Sequence, residues 1–267
     1  MGAVARLSYR RSMTSLSSAP LVEAAPAEAL RLSGLVKTYG SGSTRVTALR
    51  GIDLAIARGS FTAIMGPSGS GKSTLLHSAA GLDRPTSGTV HLGGTEISAL
   101  TPRQLTAFRR DHVGFVFQAY NLLPALSVED NITLPLRLGR RPLDHGRLET
   151  LLDAVGLTDR RHRRPAELSG GQQQRVAIAR ALITRPHVVF GDEPTGALDS
   201  RTGKQVLDLL AHTAKELHQT VIVVTHDPVV ASHADRVIFL ADGAFAGHLD
   251  GGTPQQITDR MSTLGEW

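Results

Sequence analysis

The octapeptide Gly-Pro-Ser-Gly-Ser-Gly-Lys-Ser at positions 66–73 fits the spacing G-x-x-x-x-G-K-[ST]. In this pattern, glycines let backbone N–H groups close around phosphate oxygens at the start of a helix. Lys72 would place a charge on the terminal phosphates, and the Ser73 hydroxyl would reach Mg²⁺. Apolar residues before and after the octapeptide predict a strand and a helix, so the context favours a phosphate-binding loop over an ordinary Gly-Ser loop. The residues assigned to it are Gly66, Pro67, Ser68, Gly69, Ser70, Gly71, Lys72, Ser73 and Thr74.

Two adjacent carboxylates, Asp192 and Glu193, follow the apolar segment 187–190. In open parallel sheets, ligands bind at the carboxyl ends of the strands, which is where this pair would lie. One acid would hold Mg²⁺, directly or through water, and the other would orient and deprotonate an attacking water. An acidic pair alone is more typical of a cap or a surface turn, but the phosphate loop favours the catalytic interpretation.

A hydroxyl and two glycines begin another helical stretch at Ser169-Gly170-Gly171-Gln172, which Leu168 precedes. The hydroxyl and the glycine amides at a helix start can receive an anion. A plain N-cap explains the same residues and is the favoured interpretation when the segment is taken alone. Anion binding at this helix start is therefore left open by the residues themselves.

The segments that must position these residues alternate between strands and helices. Continuous apolar runs predict strands at 30–37, 46–57, 61–65, 89–92, 113–118, 187–190, 221–225 and 236–240. Helical periodicity is predicted for 73–80, for 121–167 as a helical insertion, and for 203–218. This alternation predicts an α/β fold with a buried, mostly parallel sheet.

Composition limits the class of protein. A chain of 267 residues with 41% apolar residues can bury a large core, but no run approaches the ~20 apolar residues of a membrane-spanning helix. The absence of cysteine excludes disulfides and thiolate metal sites. Residues 1–28 are rich in Ser, Ala and Pro, and we expect a flexible tail. Deletion of Met1–Pro26 should leave ATPase activity and stability nearly unchanged.

The formal net charge of +5 comes mainly from arginine, with a cluster of arginines at 160–164 around His162. Such a cluster could meet nucleic acid or anionic lipid. A solvated helix end beside Pro165 is the favoured interpretation, because no nucleic-acid-binding module accompanies the charge. We expect no direct nucleic-acid partner.

Taken together, the phosphate loop, the segment Leu168–Gln172 and the strand ending in Asp192-Glu193 resemble the three motifs of ATP-binding-cassette (ABC) transporter ATPases, in the family's order. The resemblance runs from about Leu30 to Gly247. It implies a P-loop NTPase fold, with a RecA-like core, an antiparallel β subdomain and an inserted α-helical subdomain. The expected division is a tail at 1–28, an ABC ATPase domain at 29–250 with its helical subdomain at about 119–170, and a short C-terminal extension at 251–267.

The resemblance also assigns roles to single residues. Tyr39 would stack on the adenine of ATP, Gln118 would be the Q-loop residue and Asp199 would lie in the D-loop. His226 would be the switch histidine that contacts the γ-phosphate, and Glu193 would be the catalytic base. The expected magnesium ligands are Ser73, Gln118 and Asp192.

The same resemblance implies partners. In the family, the loop corresponding to Ser169–Gln172 completes the ATP site of the opposite subunit, which implies a homodimer or an equivalent ATPase pair around two ATP molecules. The wording of Phe115–Pro124, Glu167–Arg175 and Asp192–Ser200 is similar to that of the lipoprotein-release, macrolide-export and cell-division subfamily. This similarity implies a separate membrane permease, driven by a cytoplasmic ATPase peripheral on the inner face of the cell membrane.

Two other functions share these motifs. One is a soluble ABC ATPase of DNA repair, translation or cofactor assembly, which the lack of long coiled coils and of a second cassette disfavours. The other is an ATPase that actuates an envelope partner without moving cargo, which only the partner would distinguish from transport. The apolar segment Ala119–Leu126 is expected either to dock a permease or to pack inside the helical insertion.

Overall fold

A computed structural model of the protein describes residues 28–264, which contain ten strands and eight α-helices. The strands are β1 (Glu28–Tyr39), β2 (Val46–Ala57), β3 (Phe61–Met65), β4 (Ser87–Leu92), β5 (Thr95–Glu96), β6 (Val113–Phe117), β7 (Val188–Asp192), β8 (Thr220–Val224), β9 (Arg236–Ala241) and β10 (Ala244–Asp250). The helices are α1 (Lys72–Ala79), α2 (Pro102–His112), α3 (Val128–Leu138), α4 (His145–Ala154), α5 (Gly170–Leu182), α6 (Ser200–Glu216), α7 (Pro228–Ala231) and α8 (Pro254–Leu264). The predicted tail lies outside the described residues except for Glu28, which belongs to β1 and pairs with Ala57.

A six-stranded sheet in the order β10-β9-β3-β8-β7-β6 forms the centre of the fold. Its strands are parallel except β10, which runs antiparallel at one edge. β3 and β8 are buried at every position, as unbroken apolar strands are when both faces of a sheet are covered. The α/β fold with a mostly parallel sheet is confirmed.

Apolar side chains alternate between the two faces of this sheet. Along β3, Phe61, Ala63 and Met65 belong to a core shared with α5, whereas Ile64 belongs to a second core shared with β1 and α1. This alternation is the period of two of a strand. Because β3, β7 and β8 are parallel, their carboxyl ends meet at the same edge of the sheet.

A second, antiparallel sheet has the order β2-β1-β4-β5. The bounds of β2 and β3 coincide with those predicted from sequence. Leu30 and Leu32 of β1 share a core with Leu75 of α1, so this sheet covers the helix that follows the phosphate loop. The antiparallel β subdomain implied by the family resemblance is therefore present.

The helical insertion predicted within 121–167 is not continuous. Residues 119–127 form no helix, and Tyr120 and Asn121 have left-handed backbone angles (φ 55° and 50°) that end any regular structure there. α3 begins after the N-cap Ser127. Leu148 and Leu152 of the predicted amphipathic run are fully buried on α4, in the same core as α5. The insertion therefore packs directly on the central sheet and its helices.

The C-terminal part contains elements that the sequence patterns did not predict. Ile257 of α8 is fully buried in the core that contains Phe239 of β9. The stretch 251–267, expected as a short extension, therefore contributes to the core as far as the structure describes it.

Helix α2 was also not predicted from the sequence, because Leu105 is its one buried residue. Within 28–264, no helix combines the length and the apolarity needed to cross a membrane.

Candidate nucleotide-binding site

The phosphate loop joins the end of β3 to the start of α1. Gly71, the N-cap of α1, has a φ of +95°, and a Cβ there would lie 2.5 Å from the carbonyl oxygen of Ala48. The backbone angle and the close approach of β2 both require glycine. The loop opens on a cleft of about 350 Å³, which suits phosphate groups at a helix N-terminus. The cleft is lined by Ala48, Ser68, Gly69, Gly71, Lys72, Ser73, Thr74, Glu193 and Val224.

Lys72 holds its ammonium group against the phosphate loop. Nζ donates hydrogen bonds to the carbonyl oxygens of Gly66 (2.9 Å) and Pro67 (2.8 Å). Burial lowers the pKa of Lys72, whereas the charges of Glu193 and Asp192 act in the opposite direction. The two carboxylates thus favour the cationic form of a lysine that lines the cleft, as binding of a phosphate requires.

Asp192 ends β7 and contacts two residues of α1. Its Oδ1 lies 3.5 Å from Ser73 Oγ, and its Oδ2 lies 3.6 Å from His77 Nε2. Oxygen ligands from one carboxylate and one hydroxyl fit Mg²⁺, which takes few protein ligands when phosphate oxygens supply the others. The described part of the chain holds no cluster of three or more His, Cys, Asp or Glu side chains arranged for a metal.

Glu193 faces His226 beside the phosphate loop. Its backbone is left-handed (φ 47°), an uncommon conformation for a residue with a Cβ, and its N–H donates to the Val224 carbonyl at 3.0 Å. Glu193 Oε1 lies 2.8 Å from His226 Nδ1. The Glu193 side chain is partly buried, while that of His226 is largely exposed. The turn after β7 therefore directs a carboxylate towards the cleft with an imidazole as its hydrogen-bond partner.

Tyr39 is the last residue of β1, and its side chain is fixed by a network on the neighbouring loop. Tyr39 Oη donates to Asp83 Oδ2 at 2.6 Å and also contacts the side chain of Thr74, which lines the cleft. Lys37 Nζ lies 4.8 Å from the centroid of the Tyr39 ring and donates to Asp83 Oδ1 at 2.5 Å. Burial and the hydrogen bond to Asp83 raise the pKa of Tyr39. Tyr39 as a whole remains 43% exposed, so its ring can still meet a planar base.

Gln118 directly follows β6 and lies against the loop after the acidic pair. A Cβ added at Gly196 would be 3.0 Å from Gln118 Nε2. Gln118 does not appear among the residues lining the cleft around Ser73. The structure therefore brings Gln118 to the loop that follows Glu193.

Two side chains from neighbouring helices fix the segment after Gln118. Asn131 of α3 is fully buried; its Oδ1 accepts from the N–H of Leu123 at 2.8 Å and its Nδ2 donates to the Leu123 carbonyl at 3.1 Å. Arg180 of α5 donates to the carbonyls of Tyr120 (2.8 Å) and Asn121 (2.6 Å), and burial lowers its pKa. The irregular loop is thus held in one conformation without forming a helix.

Ser169 is the N-cap of α5, as predicted. Its Oγ accepts from the N–H of Gln172 at 3.3 Å, and Gln172 Oε1 accepts from the N–H of Ser169 at 2.9 Å, which completes a capping box. A Cβ added at Gly171 would lie 2.1 Å from Thr202 Cγ2, so glycine lets α5 approach α6 closely. No residue of 168–172 lines the phosphate-loop cleft. The structure thus places this segment away from the chain's own cleft.

Asp199 lies close to that segment as the N-cap of α6. Its Oδ1 accepts from the backbone N–H groups of Arg201 (3.1 Å) and Thr202 (3.0 Å). Hydrogen bonding to Thr202 lowers the pKa of Asp199. Since Thr202 also packs against Gly171, the start of α6 lies directly against the start of α5.

Three polar residues of the site were not identified from the sequence. His77 follows Ser73 by one helical turn, so helical spacing from the phosphate loop could have indicated it. Lys37 lies two residues before Tyr39 and therefore on the same side of β1. Asp83 comes from the loop after α1, and no sequence spacing relates it to Tyr39.

A phosphate loop between a parallel strand and a helix, with carboxylates at the end of a nearby strand, defines a P-loop nucleotide-binding protein. The family described as ABC transporter matches residues 49–196, more than half of the chain. That range includes the phosphate loop, the start of α5 and the acidic pair. The chain belongs to the ABC transporter family.

Two named relatives indicate which subfamily of ABC transporters this chain resembles. The macrolide export ATP-binding/permease protein MacB of Marinobacter nauticus is 45% identical over 251 residues, covering 91% of this chain and 39% of that protein. The pyoverdine export ATP-binding/permease protein PvdT of Pseudomonas syringae pv. tomato is 49% identical over 215 residues, covering 79% of this chain and 33% of that protein. The chain thus spans about two fifths or less of their lengths. The resemblance to the macrolide-export subfamily is confirmed.

Two solved structures of ABC cassettes are similar to this chain in fold and sequence. The cassette MJ0796, described as a dimer in a post-hydrolysis state bound to ADP and Pi, is 41% identical, with a TM-score of 0.75 over 84% of this chain and 99% of that chain. CbiO1 of Clostridium perfringens, described as part of the transporter complex cbiONQ, is 30% identical, with a TM-score of 0.75 over 87% of this chain. The chain therefore has the fold of an ABC-type ATPase cassette.

Proposed function

We propose that the chain binds Mg-ATP along residues 66–74 and hydrolyses it with Glu193 as the general base. The contact between Glu193 Oε1 and His226 Nδ1, 2.8 Å long and beside the phosphate loop, is the observation that supports this most directly. A carboxylate held by an imidazole at that position is suited to orient a water and accept its proton. The same imidazole is available to contact the terminal phosphate, because it is largely exposed.

The other residues have roles that their surroundings support. Lys72 and the loop amides bind phosphate oxygens, and the Tyr39 ring receives adenine. Ser73 and Asp192, with Gln118 added when the loops close, would hold Mg²⁺. When bound, this ion neutralises charge on the phosphate oxygens.

Two copies of the chain are proposed to enclose two ATP molecules, each copy offering Ser169–Gln172 to the other copy's nucleotide. This segment does not line its own chain's cleft, and Ser169 is exposed at a helix N-terminus. Such a terminus attracts an anion through its free N–H groups and helix dipole. The similar MJ0796 cassette is described as dimeric with ADP and Pi, which supports the same arrangement here.

The proposed partner is a membrane permease. MacB and PvdT are named ATP-binding/permease proteins, and the likeness to this chain covers 39% and 33% of their lengths. Those two names combine an ATP-binding function with a permease, so a permease is the partner that the likeness favours. The ATPase would lie at the inner face of the cell membrane and drive an export system of the lipoprotein, peptide or antibiotic type.

The dimer and the catalytic base are tested together with Glu193→Gln. The variant should keep its ATP affinity and lose turnover by about 10²-fold or more, since a general base contributes that much. Because both copies would bind each ATP, blocked hydrolysis should leave a dimer that persists in Mg-ATP on size-exclusion chromatography. Glu216→Gln, an exposed carboxylate at the end of α6, is the control. A Glu193→Gln protein that stays monomeric when saturated with Mg-ATP would contradict the two-copy arrangement.

A further inference from the structure

Gln174 of α5 is a fully buried polar residue that the roles above leave unused. Its side-chain Nε2 donates to two backbone carbonyls that belong to different loops. One is the carbonyl of Phe117, at 3.3 Å, and the other is that of Pro194, at 2.5 Å. A single amide group therefore joins the end of β6 to the turn after β7.

These two carbonyls flank the residues proposed to act on ATP. Phe117 immediately precedes Gln118, and Pro194 immediately follows Glu193. The two loops also meet through Gly196, against which the Gln118 side chain packs. Gln174 thus holds the backbone on which both functional side chains are mounted.

The helix that carries Gln174 adds a third connection. α5 begins at the capped Ser169, five residues before Gln174, and a helix of 13 residues moves largely as a unit. Any displacement at the start of α5 is therefore carried to the carbonyls of Phe117 and Pro194. In a pair of cassettes, that start would meet the partner's ATP.

The hydrogen bonding of this amide is incomplete in a way that stability alone does not explain. Both Nε2 hydrogens face carbonyl oxygens, so the reversed amide would place oxygen against oxygen. Gln174 Oε1 is buried without a hydrogen-bond partner in the part of the chain that the structure describes. An unpaired buried acceptor is unfavourable, so its presence points to a role for the two donated bonds.

We propose that Gln174 is a positioning residue for ATP hydrolysis: it sets the placement of Glu193 relative to Gln118 and links both to the start of α5. This inference rests on the proposed function. Both hydrogen bonds of the Gln174 side chain go to backbone carbonyls, so it acts through the backbone. Because a displacement of about 1 Å can cost on the order of 10²-fold in rate, loss of the two bonds should lower turnover more than ATP binding.

The test is Gln174→Met in the full chain, since methionine keeps the length and volume of glutamine without donors. We expect kcat, expressed per ATP-binding site counted by equilibrium titration so that unfolded protein does not contribute, to fall by about 10- to 100-fold while KM for ATP stays within about twofold. Gln173→Met is the matched control, because Gln173 is adjacent and donates to the Leu168 carbonyl instead. Equal kcat in Gln174→Met and Gln173→Met would overturn the proposal.

A second variant and a double-mutant cycle keep the test independent of one substitution. Gln174→Asn retains an amide that is one methylene too short to reach both carbonyls, and it should also lower kcat. In a Glu193→Gln background, Gln174→Met should add little further loss, because both changes act on the same step. Fully additive losses would contradict action through Glu193. If Glu193→Gln itself retained turnover, the proposed function would fail instead, so the two failures are distinguishable.

Discussion

His226 Nδ1 lies 2.8 Å from Glu193 Oε1, and the two side chains reach each other from loops that follow adjacent parallel strands. Asp192 is level with Val224 in the β7–β8 ladder, so the chain leaves both strands at the same height. The Glu193 N–H donates to the Val224 carbonyl and continues that pairing by one residue. The sheet register itself therefore brings the carboxylate and the imidazole together.

Replacing His226 by alanine should slow hydrolysis without preventing ATP binding. The substitution removes the hydrogen-bond partner that orients Glu193, and losses of about 10²-fold follow the removal of one such oriented group. ATP affinity, measured by fluorescence titration, should change little, because the phosphate loop is intact. His212→Ala, on an exposed position of α6, is the control. Unchanged turnover in His226→Ala would show that the contact has no catalytic consequence.

Lys72→Ala should abolish ATPase activity and weaken nucleotide binding. Lys72 Nζ bonds to the loop carbonyls and is the ammonium group that lines the cleft. Without it, the phosphate loop would have no cationic side chain to meet the charge of the phosphates. The check is steady-state hydrolysis with equilibrium ATP binding, using Lys204→Ala on the exposed side of α6 as the control. Turnover in Lys72→Ala equal to that of the wild-type chain would refute the site.

Asp83→Asn should raise KM for ATP with little effect on kcat. Asp83 accepts from both Tyr39 and Lys37, so its neutralisation frees the tyrosine ring that would stack on adenine. We expect an increase in KM of about 3- to 10-fold, the size of one stacking contact. Glu96→Gln, a partly exposed acid on β5, serves as the control. A fall in kcat with unchanged KM would place Asp83 in a different role.

The stability that Asp83 contributes through Tyr39 and Lys37 depends on pH in a direction that follows from its pKa. Burial alone would raise the pKa of Asp83, but hydrogen bonds from Lys37 and Tyr39 outweigh it and lower the pKa. A depressed pKa in the folded state means that Asp83 contributes stability above the unfolded pKa of 3.8, and that this contribution is lost as pH falls through the lower folded value. Asp83 should therefore add no pH dependence to KM between about pH 6 and 8.

The central sheet was predictable because several of its strands are short, continuous runs of apolar residues. Five buried residues in succession in β3 and β8 can satisfy neither a helix face nor a surface strand. The position of the phosphate loop was also predictable, since the local backbone geometry at Gly71 requires a glycine. Elements were therefore predictable from sequence where a few consecutive residues determine the local structure.

Other features depend on contacts between distant residues. The Tyr39–Asp83 hydrogen bond spans 44 positions and the Gln174–Phe117 bond spans 57, and no periodicity relates such pairs. The left-handed turn at Glu193 belongs to a residue type that rarely adopts it, so it could not be anticipated. α8 gave no clear sequence signal because Ile257 is its one fully buried side chain, with Met261 and Leu264 only partly buried against the core.

Ile257→Ala tests whether α8 is part of the core. The side chain is fully buried, so its truncation should lower the free energy of unfolding by about 2–5 kcal/mol. Thr258→Ala, on the exposed face of the same helix, should change it by less than about 1 kcal/mol. Chemical denaturation of both variants supplies the comparison. Equal stabilities would indicate that α8 is dispensable to the fold.

The sequence of the segment Ala119–Leu126 is compatible with a docking surface or with core packing. In the structure, its two central leucines differ in their exposure to solvent. Leu122 is half-buried against the main core, whereas Leu123 is 46% exposed. The backbone of Leu123 is fixed by Asn131, so its side chain projects from a rigid loop. We therefore expect Leu123, and not Leu122, to report on permease docking.

Leu123→Glu should leave the melting temperature and ATP affinity nearly unchanged, because the carboxylate can reach water, while weakening co-purification with a permease by placing a charge in an apolar contact. Leu122→Glu should instead destabilise the protein, since its side chain packs on the core. Leu138→Glu is the matched control: Leu138 is also exposed, at 67%, but ends α3 outside the segment. A stable Leu123→Glu protein that binds the permease as well as Leu138→Glu would exclude docking at this leucine.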